Sequence, residues 1–254
     1  MKKPIEEFIE TIARLRGPNG CPWDREQTHK TLKRYLIEET YEAVDAMEND
    51  DSQELMEELG DVLLQIVLHS QIAAENKTFT FDDVAKHVNN KMISRHPHVF
   101  GDLELKTADE VLANWDDFKK QEKPNREVFE GIPNSLPALL KALKVSKKVT
   151  KYGFDWEDKN HLLRALDLEY KEVQEAFSTD NKEHQMEELG DLLLMLVNLA
   201  RFNKIDPEES LNKSIKKFTS RFNSVKNLSN DKLKELSPTE IQKLWETVKE
   251  HEQK

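Results

Sequence analysis

One fixed offset relates the two halves of the sequence, and no other feature restricts the fold as strongly. Adding 130 takes Glu39 to Glu169, Glu42 to Glu172, and Glu57-Glu58-Leu59-Gly60-Asp61 to Glu187-Glu188-Leu189-Gly190-Asp191. The same shift takes Leu63-Leu64 to Leu193-Leu194, Trp115 to Trp245 and Lys119 to Lys249. A single register held across acidic, apolar, aromatic and basic residues marks an internal duplication, and two copies are too few for a solenoid. Whatever one half folds into, the other folds into as well.

That fold is expected to be all-α. Charged residues make up 34% of the chain and only 7 Gly and 9 Pro occur, a balance that favours helices over turn-rich sheets. Ile5, Phe8, Ile9, Ile12 and Leu15 follow Pro4 at three- and four-residue steps, and Gly17-Pro18-Asn19-Gly20-Cys21-Pro22 breaks that helix. A second helix is expected from Lys30 to Glu48. A third follows Ser52 as its N-cap, with Leu55, Leu59, Val62, Leu63, Ile66 and Val67 as one apolar stripe. Thr80 with Asp83, Thr107 with Glu110, and Ser237 with Glu240 have capping-box spacing. Pro124, Gly131, Pro133 and Pro137 fall where no helical stripe runs. The expected organisation is therefore a first helical unit at 1–122, a linker at 123–137 and a second unit at 138–254.

Charge narrows the partners. The formal net charge of −11 disfavours an electrostatic grip on a nucleic acid polymer, and an anionic substrate would need local Lys and Arg or a metal ion. Cys21 is the only cysteine, which excludes an internal disulfide and fits the reducing cytoplasm. The acidic N-terminus, with Glu6, Glu7 and Glu10, lacks the apolar core of a signal peptide, and the run from Val62 to Ala74 is too short to span a membrane.

The chemistry is expected among the carboxylates. Glu38 and Glu42 are one turn apart with Glu39 beside them, and Glu58 and Asp61 share a face of the next helix. The turn at 49–51 folds the two helices antiparallel, which brings the acidic faces together at the core's border. Clustered carboxylates repel and raise one another's pKa, a conflict that a hard cation such as Mg²⁺ removes. Glu48, Asp50, Asp51 and Glu54 are read as an ordinary solvated face. No Gly-x-x-x-x-Gly-Lys-Ser/Thr loop occurs, so P-loop chemistry is disfavoured.

Glu-Glu-x-x-Glu followed after fifteen residues by Glu-x-x-Asp resembles the MazG family of nucleoside triphosphate pyrophosphohydrolases. So do Gly20-Cys21-Pro22-Trp23-Asp24 with Gln27-Thr28-His29, Arg95-His96-Pro97-His98-Val99-Phe100-Gly101-Asp102, and Gly153-Phe154-Asp155-Trp156. The likeness extends over nearly the whole chain. It implies an all-α homodimer or higher oligomer whose neighbouring subunits complete a helical bundle. It also implies Mg²⁺-dependent conversion of an NTP to NMP and pyrophosphate, with Mn²⁺ as a substitute, in nucleotide-pool housecleaning. Glu38 and Glu39 are the expected catalytic pair. Glu39, Glu42, Glu58 and Asp61, with Glu169, Glu172, Glu188 and Asp191, are the expected metal ligands.

Lys91 and Arg95, Lys217 and Arg221, Trp115 and Lys119, and Trp245 and Lys249 are each four apart on a predicted helix. Lys and Arg clamp phosphate and Trp stacks on a base, although such residues also serve solubility and packing. Those of the second half match the family's ligand-contact pattern. Cys21 and Trp23 are read as loop-ordering, because no base pairs with the thiol, and His96 and His98 as loop residues within reach of phosphate. Glu26-x-x-His29, echoed approximately by Asp158-x-x-His161, keeps a di-iron bundle among the alternatives, as does a nucleotide-binding regulator without turnover. A zinc site ranks below both. The copies differ at one place: the partner of Glu38 is Leu168, with Asp167 a poor positional substitute. On motif completeness the first unit is expected to carry more of the turnover.

Overall fold

A computed structural model of the chain describes residues 2–122 and 127–252, except for the side chains of 116, 117 and 119–122. The chain divides into two compact units, Met1–Pro124 and Asn125–Lys254. Every regular element among the described residues is helical.

The first unit contains α1 (Pro4–Arg16), α2 (Pro22–Glu26), α3 (His29–Glu48), α4 (Ser52–Glu75), α5 (Phe81–Arg95), α6 (Pro97–Phe100) and α7 (Ala108–Glu122). Its spine is the antiparallel pair α3–α4, with α1 and α5 against α4 and α7 against α5. The hairpin is set locally. Thr28 caps α3 by accepting from the Thr31 N–H at 3.2 Å, and Asp50 turns the chain with a left-handed φ of 54°. Asp51, not Ser52, caps α4: its carboxylate accepts from the backbone of Gln53 and Glu54, each at 3.0 Å. An ionised side chain serves two orphan donors at a helix N-terminus better than a hydroxyl serves one. The Thr80 capping box forms as its spacing predicts.

Ile12, Leu32, Val67, Leu68 and Ile72 make the core, with Phe8, Ile9, Tyr35, Leu63, Leu64 and Phe81 packed around them. Full burial of a side chain such as Ile12 or Leu32 contributes about 1.5–3 kcal/mol. The expected α4 stripe does not bury as one strip. Val67 is buried, but Leu59 and Ile66 remain 49% and 37% exposed, because α1, α3 and α5 cover only part of the circumference of α4.

The loop between α1 and α3 closes around Arg16, whose side chain is only 5% exposed. Arg16 donates to the carbonyl oxygens of Asp24 and Gln27, and its Nε and Nη2 reach the Glu75 carboxylate at 2.9 and 2.8 Å. Gly20 is required there, since a Cβ would lie 2.0 Å from the Leu15 carbonyl oxygen. The Gly20–Asp24 block thus orders a loop that ties α1 to the far end of α4, and Cys21 is the residue before α2.

The second unit contains α8 (Ala138–Val149), α9 (Lys159–Phe177), α10 (Lys182–Phe202), α11 (Pro207–Leu228) and α12 (Pro238–Glu252), with 3-10 turns at Thr150–Tyr152 and Leu233–Glu235. α9–α10 reproduces α3–α4, α8 packs on α10 as α1 does on α4, and α12 packs on α11 as α7 does on α5. Burial along 31–40 recurs residue by residue at 161–170. Caps follow the same offset at Asp158 and Asn181, the partners of Thr28 and Asp51. The register then slips: Asp206, capping α11, lies 126 residues beyond Thr80, and Ser237 returns to 130 beyond Thr107. Of the expected linker, 123–126 lie outside the described residues. Residues 127–137 are tied to α8 through Lys148 Nζ, which donates to the carbonyls of Val128 and Glu130 at 2.6 and 2.9 Å. Gly153, at a left-handed φ of 79°, ends the turn after α8.

Candidate metal and nucleotide site

Each helix hairpin gathers carboxylates from both of its arms. In the first unit, carboxylate oxygens of Glu39 on α3 and of Glu58 and Asp61 on α4 all lie within 4.8 Å of one another, and each residue is half-buried. Partial burial raises the Glu39 pKa first, followed by Asp61 and Glu42, with a hydrogen bond to Glu42 adding to the shift. Glu58 is raised by desolvation, then by Glu42 and Asp61. Glu42 therefore belongs to the same electrostatic group although its oxygens are not among the closest three. Glu38 stands outside the trio, exposed and facing Arg34.

The second unit gathers a different set. Carboxylate oxygens of Glu169, Glu172 and Glu188 lie within 4.8 Å of one another. Burial raises the Glu169 pKa, then Glu172, Asp191 and Glu188. Asp191 is exposed and outside the closest three, so it acts on the group through charge. Glu188 also joins a second triad with His184 and Glu187. The sequence held the signal for His184, since it lies one turn before Glu188, but its first-unit partner Glu54 reads as surface charge.

These donor sets suit a hard cation. They are carboxylate oxygens converging from two helices, half-buried except at Glu172, with no basic residue inside either trio. Gly60 and Gly190 lie between the paired acids of α4 and α10, and a Cβ at either would meet nothing within 4 Å.

The basic and aromatic residues occupy other helices of the same units. In the second unit, Lys217 and Arg221 lie on α11 and Trp245 and Lys249 on α12. Arg221 donates through Nε and Nη2 to Glu252 Oε2, both at 2.7 Å, and this contact with nearby Lys217 holds the Glu252 carboxyl below the usual range. Arg221 thus grips one anionic oxygen with two N–H groups, and Lys217 adds its charge from one turn earlier. The Trp245 ring centre lies 5.2 Å from that of Phe218, and Lys249 pairs with Glu246 at 3.3 Å.

In the first unit, Lys91 and Arg95 lie on α5 and Trp115 on α7, whereas the side chain of Lys119 lies outside the described residues. The edge of Trp115 packs on His96 at 5.4 Å between ring centres, and His96 leans on His98. His29 stacks on His69 with Nδ1 atoms 2.7 Å apart, and burial followed by this neighbour lowers the His69 pKa. Trp23 stands over an open cleft of about 460 Å³ lined by Lys30, Arg34 and Tyr35.

Two copies of an antiparallel helix pair, each closing carboxylates from both arms, define a tandem all-α protein with an acidic hairpin site. The chain belongs to the MazG nucleotide pyrophosphohydrolase family, whose domain model matches residues 27–100 and again residues 157–226. A Thermotoga maritima protein named nucleoside triphosphate pyrophosphohydrolase/pyrophosphatase MazG is 42% identical over 250 residues, 96% of this chain and 95% of its own. The Escherichia coli K12 nucleoside triphosphate pyrophosphohydrolase is 37% identical over 98% of both chains. Bacillus subtilis YabN is 46% identical over 97% of this chain, which spans only 52% of that protein's length.

Proposed function

We propose that this chain hydrolyses nucleoside triphosphates to NMP and pyrophosphate at the acidic hairpin sites, as a housecleaning enzyme of the cytoplasmic nucleotide pool. The observation that carries this reading is the half-buried trio of Glu39, Glu58 and Asp61, whose oxygens lie within 4.8 Å of one another. The names of the Thermotoga and Escherichia coli relatives supply the substrate class. No described helix is long and apolar enough to cross a membrane.

Glu39, Glu42, Glu58 and Asp61 would hold Mg²⁺ in the first unit, and Glu169, Glu172 and Glu188, with the charge of Asp191, in the second. Bound there, Mg²⁺ supplies Lewis acidity and lowers the pKa of a bound water. The water oxygen bonds to the α-phosphorus as the bond from that phosphorus to the bridging oxygen breaks. Pyrophosphate leaves with the bonding electron pair. Glu39 or Glu38 takes the proton that the water releases. Lys217 and Arg221 are proposed to clamp the departing phosphates, as Arg221 already grips Glu252 Oε2 with two N–H groups. Lys91 and Arg95 take that role in the first unit, and Trp115 and Trp245, with Lys119 and Lys249, flank the nucleotide.

A homodimer or higher homo-oligomer is part of the proposal. Met56, Leu59 and Ile66 on α4 are 70%, 49% and 37% exposed, and their partners Met186, Leu189 and Leu196 are 73%, 43% and 44% exposed. Spaced by three and seven residues, each trio forms a seam beside a glycine that lets another helix approach closely.

Phosphorus NMR of a panel of NTPs incubated with Mg²⁺ tests the bond broken. NMP and pyrophosphate are expected; NDP and orthophosphate as first products would reject the assignment. Unchanged NTP throughout would favour a nucleotide-binding regulator.

A further inference from the structure

We infer that a cavity between α8, the 153–156 turn and α10 seats the base of the nucleotide handled by the second unit, and that Asn198 reads the edge of that base. The inference rests on the proposed nucleotide hydrolysis and names how the substrate is recognised. The cavity has a volume of about 430 Å³, within the range of small-molecule sites. Val149, Trp156 and Leu194 are among its walls, and the half-buried Trp156 ring meets that of His161 edge-on, 5.2 Å between centres. An apolar cavity with an aromatic wall suits a flat heteroaromatic ring.

Its polar groups leave hydrogen-bonding capacity unused. The buried Ser146 donates through Oγ to Asn198 Oδ1 at 2.6 Å, and Asn198 Nδ2 donates to the Leu194 carbonyl at 3.1 Å. These two contacts fix the direction of the amide. A side-chain amide carries two N–H groups and an oxygen with two lone pairs, so one donor and one acceptor of Asn198 remain. Bases are recognised in this way, by hydrogen bonds along an edge and by packing on aromatic side chains. Arg201 lines the cavity as well: its Nη atoms hold Asp155, and its buried Nε has no hydrogen-bond partner among the described residues.

Placement ties the cavity to the acidic group. Asn198 lies seven residues beyond Asp191 on α10, so the two share a face about 10 Å apart. A nucleotide bound through its phosphates at the carboxylates carries its base, one sugar away, along this face toward Asn198. The first unit has solid core at the corresponding position. The counterpart of Asn198 is Leu68, only 3% exposed and packed with Ile12, Leu32, Val67 and Ile72. The hairpin scaffold therefore does not itself require a cavity here. A packing void without a ligand predicts that Asn198→Leu leaves substrate binding unchanged.

The test uses the full chain with the first site disabled (Glu58→Gln, Asp61→Asn). Asn198→Leu, which copies the first unit, is expected to raise the KM for NTPs by roughly tenfold with kcat little changed, the scale of a lost hydrogen bond to substrate. The Ki of inorganic triphosphate, which has no base, should not move. Ser146→Ala, which frees the amide to turn, should give a smaller rise in KM. In the wild-type chain without metal, free nucleosides should shift the Asn198 side-chain amide signals in NMR, and inorganic triphosphate should not. An unchanged KM in both variants, an equal rise in the triphosphate Ki, or nucleosides that leave the Asn198 signals in place would overturn the base assignment. Nucleosides that shift those signals in a wild-type chain showing no NTP turnover with Mg²⁺ would support the cavity and reject the hydrolysis reading, so the two fail separately.

Discussion

The two hairpins share a motif and close it differently. In the first, Glu39 meets Glu58 and Asp61, so the donors converge across the middle of the α3–α4 pair. In the second, Glu188 turns to Glu169 and Glu172 on one side and to His184 and Glu187 on the other, so the cluster gathers at the start of α10. Repetition of a motif fixes which helix faces meet. The neighbours at each turn decide which atoms finally converge. The comparison also changes the meaning of Leu168. Its counterpart Glu38 stands outside the first trio, and the second group forms from Glu169, Glu172 and Glu188 without it.

The sharpest test of this difference is turnover. With Mg²⁺, Glu58→Gln with Asp61→Asn is expected to lower kcat by roughly 10²-fold or more, the scale of losing metal and base assistance. Glu188→Gln with Asp191→Asn should lower it less. The opposite order with Mg²⁺ would show that the second hairpin carries the reaction.

The next test breaks the clasps that hold the hairpin ends. Arg16→Ala strands two carbonyl oxygens and the Glu75 carboxylate; because Glu75 is 37% exposed, a loss of about 2–3 kcal/mol is expected, below the full penalty for a buried pair. Among the described residues Arg201 grips Asp155 alone, with Nη1 to Oδ2 at 3.1 Å, and Arg201→Ala should cost about 1–2 kcal/mol. Hydrogen exchange resolved by unit checks both. Equal losses in the two units would remove the asymmetry.

Smaller again is the effect at the two hairpin glycines. Gly60→Ala and Gly190→Ala should each stabilise the isolated helix by about 0.5–1 kcal/mol, since neither Cβ meets an atom within 4 Å. If the oligomer seam uses that space, the same changes should lower the concentration stability of the oligomer, read by analytical ultracentrifugation at several dilutions.

The smallest expected effect is on pH. Glu39, Glu58 and Glu169 have folded pKa values raised above their unfolded ones, so the folded metal-free protein binds their protons first. Their contribution to stability is therefore least favourable when they are ionised and improves as pH falls through their folded pKa values. Glu75 and Asp155, with depressed values held by Arg16 and Arg201, act oppositely and lose their contribution at lower pH. Melting curves between pH 7 and 4 should show the first effect flattened by Glu39→Gln with Glu169→Gln, and also by saturating Mg²⁺.

Much of the fold was legible because periodicity and caps are local. The 49–51 turn, the Thr80 and Ser237 boxes and the paired hairpins all depend on residues a few positions apart. The site was legible down to its helices but not to its atoms. Glu39, Glu58 and Asp61 could be placed on facing helices by spacing, whereas the exclusion of Glu38 depends on side-chain direction. Arg16 was missed because its partners, Asp24, Gln27 and Glu75, lie in three separate stretches, and a lone arginine near a helix end reads as solubility. The α4 stripe was over-read because apolar spacing records which residues avoid water, without saying whether the same chain covers them.

The slip from 130 to 126 between the caps of α5 and α11 has an evolutionary consequence. Asn203, which ends α10, lies 127 beyond Asn76, so three of the four residues go by the end of that helix and the last in the turn after it, and the spacing within α11 is untouched. Lys91 and Arg95 thereby remain the counterparts of Lys217 and Arg221 although the copies have parted in length. Changes of length ahead of the cap are the ones this joint tolerates silently. Each half could drift at that point, acquiring its own tolerance for metal or nucleotide, while the orientation of its cationic face was preserved.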